Sequence, residues 1–147
     1  MECYTTIFDS YEWLPPYGEN HVSVDANVVT IHYDNPHDET NKEYPFAKRS
    51  YIFDGISSFC ESVFPGVACS TFDCNTDEKM SFNVLFEINY SEQAKKWNEY
   101  WQKTSFTFMY KNRHLCQFFT TSNTAINVIC TGVTLSDEVL LKTAEWR

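Results

Sequence analysis

Glycine is scarce, with only 4 in 147 residues. That argues against a Gly-rich loop able to cradle a phosphate. No Gly-x-Ser-x-Gly, Walker loop, Gly-x-Gly-x-x-Gly or His-Glu-x-x-His motif is present either. Long apolar runs are also missing: no stretch approaches the roughly 20 residues a membrane-spanning helix needs. Met1-Glu2-Cys3-Tyr4 is neither basic nor followed by an apolar segment, so no secretory signal is read and a cytoplasmic location is expected. The six cysteines would then remain thiols in a reducing compartment. Cys69 and Cys74 share a loop, but no second Cys or Cys/His pair lies at zinc-binding spacing, so neither metal nor cofactor is expected. Repeats, low-complexity tracts and long linkers are absent as well.

What the chain does have is acidity and aromatic residues. The formal net charge is −9, and aromatics make up 17% of the residues. Residues 1–47 carry nine acids against the single base Lys42, whereas residues 91–147 carry seven bases against five acids. Such a field repels nucleic acid and steers basic partners toward the acidic surface. Hydrophobic residues at 43% and charged residues at 21% describe a globular composition. A chain of this length buries roughly 68–70% of its unfolded surface, enough for one independent core, so residues 1–147 read as a single domain.

The pattern of apolar residues gives a coarse order of elements. Thr5–Asp9 reads as a short strand. Leu14-Pro15-Pro16-Tyr17-Gly18 reads as a turn or extended loop, because proline fixes φ and removes a donor. His21–Val24 and Val28–Tyr33 flank Asp25-Ala26-Asn27, which suits a tight hairpin with asparagine accepting positive φ. Asp34 to Pro45 reads as an exposed loop, and Arg49–Phe53 as a strand. Ile56, Phe59, Cys60 and Val63 recur at helical spacing behind a candidate cap, Asp54, and Pro65-Gly66 would end that helix. Residues 67–79 read as a surface loop.

Phe82, Val84, Phe86 and Ile88 alternate as one buried strand face. A helix capped by Asn89 or Ser91 should follow, with Ala94, Trp97, Tyr100 and Trp101 on one face. Phe106–Tyr110, Leu115–Thr120 and Ala125–Cys130 read as an antiparallel meander, with Lys111–His114 as its first turn. A last helix is expected from Ser136, with Asp137 and Glu138 in its first turn and Val139, Leu140 and Trp146 docking it. The sum is an α+β fold, a mostly antiparallel sheet with about three helices.

Three sets of residues offer chemistry. Glu12, Trp13, Tyr17 and Glu19 combine interface-type aromatics with acids around a rigid Pro15-Pro16 pair. With Asp34, Asp38, Glu39 and Glu43 they form the candidate partner-binding surface. His32 and His37 flank Asp34, the one place where a dispersed enzyme site of histidines and acids could assemble. Phe106, Phe108, Tyr110, Lys111, Arg113 and Phe118 could form a stacking platform for single-stranded nucleic acid, against which the net charge works. Cys60, Cys116 and Cys130 fall in amphipathic segments and read as core thiols. No catalytic residue is assigned, and the chain reads as a protein-binding module rather than an enzyme.

In length, regional acidity, α+β character, aromatic content and lack of catalytic motifs, the chain resembles the immunity proteins of bacterial contact-dependent growth inhibition and related polymorphic toxin systems. That resemblance implies binding to a cognate toxin domain, basic and of nuclease type, whose active site the immunity protein blocks. It assigns no individual residue a role.

Overall fold

The structure is a computed structural model that describes residues 4–14, 20–37, 43–63, 84–104, 111–119 and 124–145. The chain divides into two compact units. The first comprises Met1–Asp9 and Asp54–Gly132, the second Ser10–Phe53 and Val133–Arg147.

The first unit is built on a five-stranded sheet in the order β1-β6-β7-β8-β5. Its strands are β1 (Tyr4–Phe8), β5 (Ser58–Val63), β6 (Leu85–Ile88), β7 (His114–Phe119) and β8 (Thr124–Cys130), all antiparallel to their neighbours. β7 and β8 sit inside the sheet and are buried on both faces. Leu115 and Ile129 lie on one side, and Phe118, Ile126 and Val128 on the other. The helix α1 (Glu92–Thr104) follows β6 directly. Ser91 caps it, its Oγ accepting the Ala94 amide at 3.1 Å. Ala94 packs on Phe86, Ile88, Leu115, Ala125 and Ile129, with Trp97 and Tyr4 partly buried against this cluster. Tyr100, expected on the same face, is 54% exposed.

The second unit is a sheet in the order β10-β4-β3-β2, with β9 also pairing β4. Its strands are β2 (His21–Asp25), β3 (Val28–Asp34), β4 (Phe46–Asp54), β9 (Gly132–Leu135) and β10 (Val139–Leu141). The register pairs Val29 with Tyr51, Ile31 with Arg49 and Tyr33 with Ala47. These six residues therefore share one face, and all but Arg49 are fully buried. The β2–β3 hairpin forms as expected, with Asp25 opposite Val28. Its positive φ, 53°, falls on Ala26 instead of Asn27. Asn27 is held otherwise: its Nδ2 donates to the Phe53 carbonyl and its own carbonyl accepts the Phe53 amide.

Two expected helices are strands, so the fold is sheet-dominated with one α-helix among the described residues, not α+β with about three. Residues 56–63 were expected to wind behind an Asp54 cap. Gly55 turns the chain at φ +60° instead, and the Ser57 amide reaches the Ile129 carbonyl to open the β5–β8 ladder. The Asp54 carbonyl accepts the Thr131 amide and hydroxyl. The open edge of β8 offers this segment a six-residue ladder and the apolar surface of a sheet, whereas a two-turn helix with a partial apolar stripe has little stability of its own. At the C-terminal end, the Ser136 hydroxyl expected to cap a helix accepts the Ser50 amide at 2.8 Å, while the Ser136 amide donates to the Ser50 carbonyl. That pairing draws Val139–Leu141 onto the edge of β4. The expected strand Phe106–Tyr110, the loop at residues 67–79 and Trp146 lie outside the described residues.

Candidate functional site

The second unit holds a pocket of about 390 Å³ lined by Glu12, Trp13, Pro36, His37, Arg49 and Glu138. Four separate stretches of chain build it. Ser10–Glu12 forms a 3-10 turn in which the Ser10 carbonyl accepts the amides of Trp13 and Leu14. Buried Leu14 anchors this turn, and Trp13 lies against Tyr33 with ring centroids 5.4 Å apart. The Trp13 Nε1–H is buried and has no acceptor among the described residues.

Beyond β3, buried Asn35 fixes the second stretch. Its amide donates to the Pro45 carbonyl, its Nδ2 to the Tyr44 carbonyl, and its Oδ1 accepts the His37 amide. Asn35 thus ties His37 to Tyr44 and Pro45, and His37 lines the pocket. Arg49 comes from β4. Its guanidinium carbon lies 5.1 Å from the Trp13 ring centre, a cation–π arrangement, and its Nε donates to the Ser136 carbonyl at 3.0 Å.

Glu138 completes the site from just before β10. The register that pairs Val139 with Lys48 puts Glu138 opposite Arg49. Its Oε2 accepts the Tyr33 hydroxyl at 2.5 Å, and its Oε1 stands 3.5 Å from His37 Nε2. Burial, and then the bond to a carboxylate, push the Tyr33 hydroxyl well above the ordinary tyrosine range, so it remains a donor. Two carboxylates, of Glu12 and Glu138, therefore line the same pocket as one guanidinium, which is engaged by the Trp13 ring and, through Nε, by the Ser136 carbonyl.

Of the residues expected to bind a partner, the structure brings Glu12 and Trp13 into this pocket. Asp34 is exposed at the end of β3, and Glu43 is exposed next to Tyr44. Tyr17, Glu19, Asp38 and Glu39 lie outside the described residues. The regional acidity is diluted by the fold. The second unit carries ten acids and five bases, because Lys48, Arg49, Lys142 and Arg147 join the early acids. Lys48 pairs with Glu145 at 3.0 Å, and Lys142 sits over the Tyr44 ring. Glu12, Asp25, Asp34, Glu43 and Asp137 make no ion pair among the described residues.

His32 and His37 have different neighbours. His32 is buried, its Nε2 lying 3.2 Å from Ser23 Oγ, and burial holds its pKa below the ordinary histidine value. Among the described residues no group of three or more His, Cys, Asp or Glu side chains is arranged to hold a metal ion. Of the residues expected to form a nucleic-acid platform, Phe118 and Arg113 are engaged within the first unit. Phe118 is buried. Arg113 ties α1 to the start of β7: its amide and carbonyl bond the Asn98 side chain, its Nε donates to Ser57 Oγ, and its guanidinium lies over Trp101. Phe106, Phe108 and Tyr110 are outside the described residues, and Lys111 is exposed.

Sequence reasoning missed Asn35, Arg49 and Glu138. Arg49 did carry a signal, since it falls in phase with Ala47, Tyr51 and Phe53 on an otherwise buried strand face. No helix among the described residues is long and apolar enough to cross a membrane. No protein-family model, no curated protein and no solved structure matches the chain.

Proposed function

We propose that this chain is an acidic protein-binding module of the immunity type. It acts in the bacterial cytoplasm, binding a cognate basic toxin domain of nuclease type and blocking its active site. The observation that carries the reading is the pocket in which Glu12 and Glu138 face Trp13, with exposed Asp34 and Glu43 in the same unit. Arg49 already lies over the Trp13 ring, so an incoming lysine or arginine side chain would pair with the Glu12 and Glu138 carboxylates that line the same pocket. Unpaired surface acids contribute mainly to encounter rate and to rejection of wrong partners.

The test starts with capture of the partner from the native host, elution by salt and identification by mass spectrometry. Affinity for the purified toxin domain is then measured for wild type and for Glu12→Lys combined with Asp34→Lys. The expected result is at least a tenfold loss of affinity, a slower association rate and a weaker dependence on salt. Undiminished binding by the double variant, with its fold intact, refutes the acidic-pocket mechanism.

One observation favours a second reading, a small enzyme. His37, Glu138 and the Tyr33 hydroxyl form a chain of polar contacts beside a guanidinium in the same pocket. A histidine oriented by a carboxylate is a general-base arrangement, and Arg49 would hold an anionic substrate. Turnover of an anionic ester that His37→Ala abolishes, with no basic protein captured, would favour this reading over the first.

A further inference from the structure

The first unit contains a pair of thiols that the partner-binding reading does not use. β7 and β8 pair His114 with Cys130 and Cys116 with Val128, so Cys116 and Cys130 are diagonal neighbours on one face of the sheet. Their sulfurs stand 3.8 Å apart, and both residues are buried, 2% and 0% exposed. We propose that Cys116 and Cys130 form a reversible intramolecular disulfide, closed by a small hydroperoxide and reopened by thiol.

The geometry selects this pair. A disulfide spans about 2.05 Å, so the sulfurs need to close by only about 1.8 Å. Cys60, the other described cysteine, cannot compete. It lies opposite Asn127 on β8, and odd spacing from Cys130 puts it on the other face of the sheet. The same face also carries a histidine and a carboxylate. Glu87 lies opposite Cys116 across β6–β7, and its Oε1 is 3.2 Å from Nδ1 of His114. The His114 side chain, opposite Cys130, is 41% exposed, so solvent reaches this end of the face, and a reagent that is to react with the buried thiols must be as small as hydrogen peroxide. Full burial of both thiols closes it to a bulky disulfide such as oxidised glutathione.

The hydrogen bond between the thiols also sets the order of events. Either sulfur can donate in this contact; with Cys116 as the donor, the bond lowers the Cys130 pKa, while that bond and burial raise that of Cys116. The Cys130 thiolate attacks the outer oxygen of the hydroperoxide. The O–O bond breaks, and the proton Cys130 gave up returns on the departing oxygen, leaving an alcohol or water and a sulfenic acid. The Cys116 sulfur then attacks the sulfenic sulfur, its own proton leaves with the hydroxyl as water, and the S–S bond forms. Two thiols and one hydroperoxide thus give one disulfide, one alcohol (or water) and one further water.

The test uses the full chain, treated with hydrogen peroxide and then alkylated under denaturing conditions. A tryptic peptide would carry both cysteines, because no Lys or Arg lies between His114 and Leu141. Chymotryptic cleavage after Phe118 or Phe119 separates them, so a linked peptide pair reports the bond by mass. The expected result is a Cys116–Cys130 linked pair that dithiothreitol removes and that is absent from Cys116→Ser. In Cys116→Ser, Cys130 should instead be trapped as a sulfenic acid by dimedone. The proposal is overturned if wild type shows both residues alkylated after peroxide, either one joined to a different cysteine, or separate sulfinic acids without the link.

Discussion

Gly55→Ala tests the turn that makes residues 58–63 a strand. Gly55 sits at φ +60°, where an L side chain is unfavourable by roughly 1–2 kcal/mol. Restricting the unfolded chain by the same substitution offsets about 0.4–1 kcal/mol of that. Steric overlap adds more. A Cβ at this position would stand 2.4 Å from Thr131 Oγ1, 2.8 Å from its Cγ2 and 3.1 Å from its Cβ. Thr131 cannot simply rotate away, because its hydroxyl and its amide both hold the Asp54 carbonyl. Overpacking of this kind costs about 1–3 kcal/mol. The expected total is therefore a loss of about 2–3 kcal/mol in urea-denaturation stability. Thr131→Ala removes the two closest atoms along with one hydrogen bond, so the double variant should show a favourable coupling of about 1–2 kcal/mol. A Gly55→Ala chain within about 0.5 kcal/mol of wild type, or strictly additive effects of the two substitutions, would refute the reasoning.

Two further outcomes are expected. Trp97→Ala, in a side chain half-buried against Phe86, Ile88 and Leu115, should destabilise by about 2–3 kcal/mol, whereas exposed Tyr100→Ala on the same helix should stay within about 0.5 kcal/mol; the reverse order in denaturant melts would mean that the helix is rotated. Burial lowers the pKa of His32 in the folded state below its ordinary value of 6.5, so the unfolded chain binds the proton more readily. The stabilisation is complete above pH 6.5 and is lost as pH falls from there through the folded-state value. The urea midpoint should thus drop between pH 8 and pH 5 in wild type, less so in His32→Asn, and equal slopes in the two chains would show that His32 is not the group responsible.

The elements that were legible in the sequence are those whose local chemistry has one outcome. Ser91 followed by an aromatic stripe specifies α1, and the β-branched runs either side of Ala26-Asn27 specify a hairpin. Even there the special backbone angle lies on Ala26, because the Asn27 side chain is engaged with the Phe53 carbonyl from a strand 26 residues away. The two misread helices fail for a different reason. Ile56, Phe59, Cys60 and Val63 satisfy helical spacing, but as a segment of two turns they have weak intrinsic preference. An unfilled strand edge then decides the structure, and single-sequence periodicity carries no information about where such edges are.

The same cause explains why half of the candidate site was illegible. Glu12 and Trp13 could be singled out by residue type, but Glu138 reads as a helix N-terminal acid whenever Ser136 is taken as a cap. Once the Ser136 hydroxyl receives the Ser50 amide, the chain runs along β4 and the register places Glu138 across from Arg49, within reach of the Tyr33 hydroxyl. Arg49 in turn is a charge in the apolar phase of β4, a position that burial alone would penalise. Its guanidinium is compensated by the Trp13 ring and the Ser136 carbonyl, contacts made by segments 36 residues before it and 87 after it in the chain. A charged residue in phase with a buried strand face is therefore the sequence signal that a polar site adjoins the core, and here that site is the pocket over Trp13.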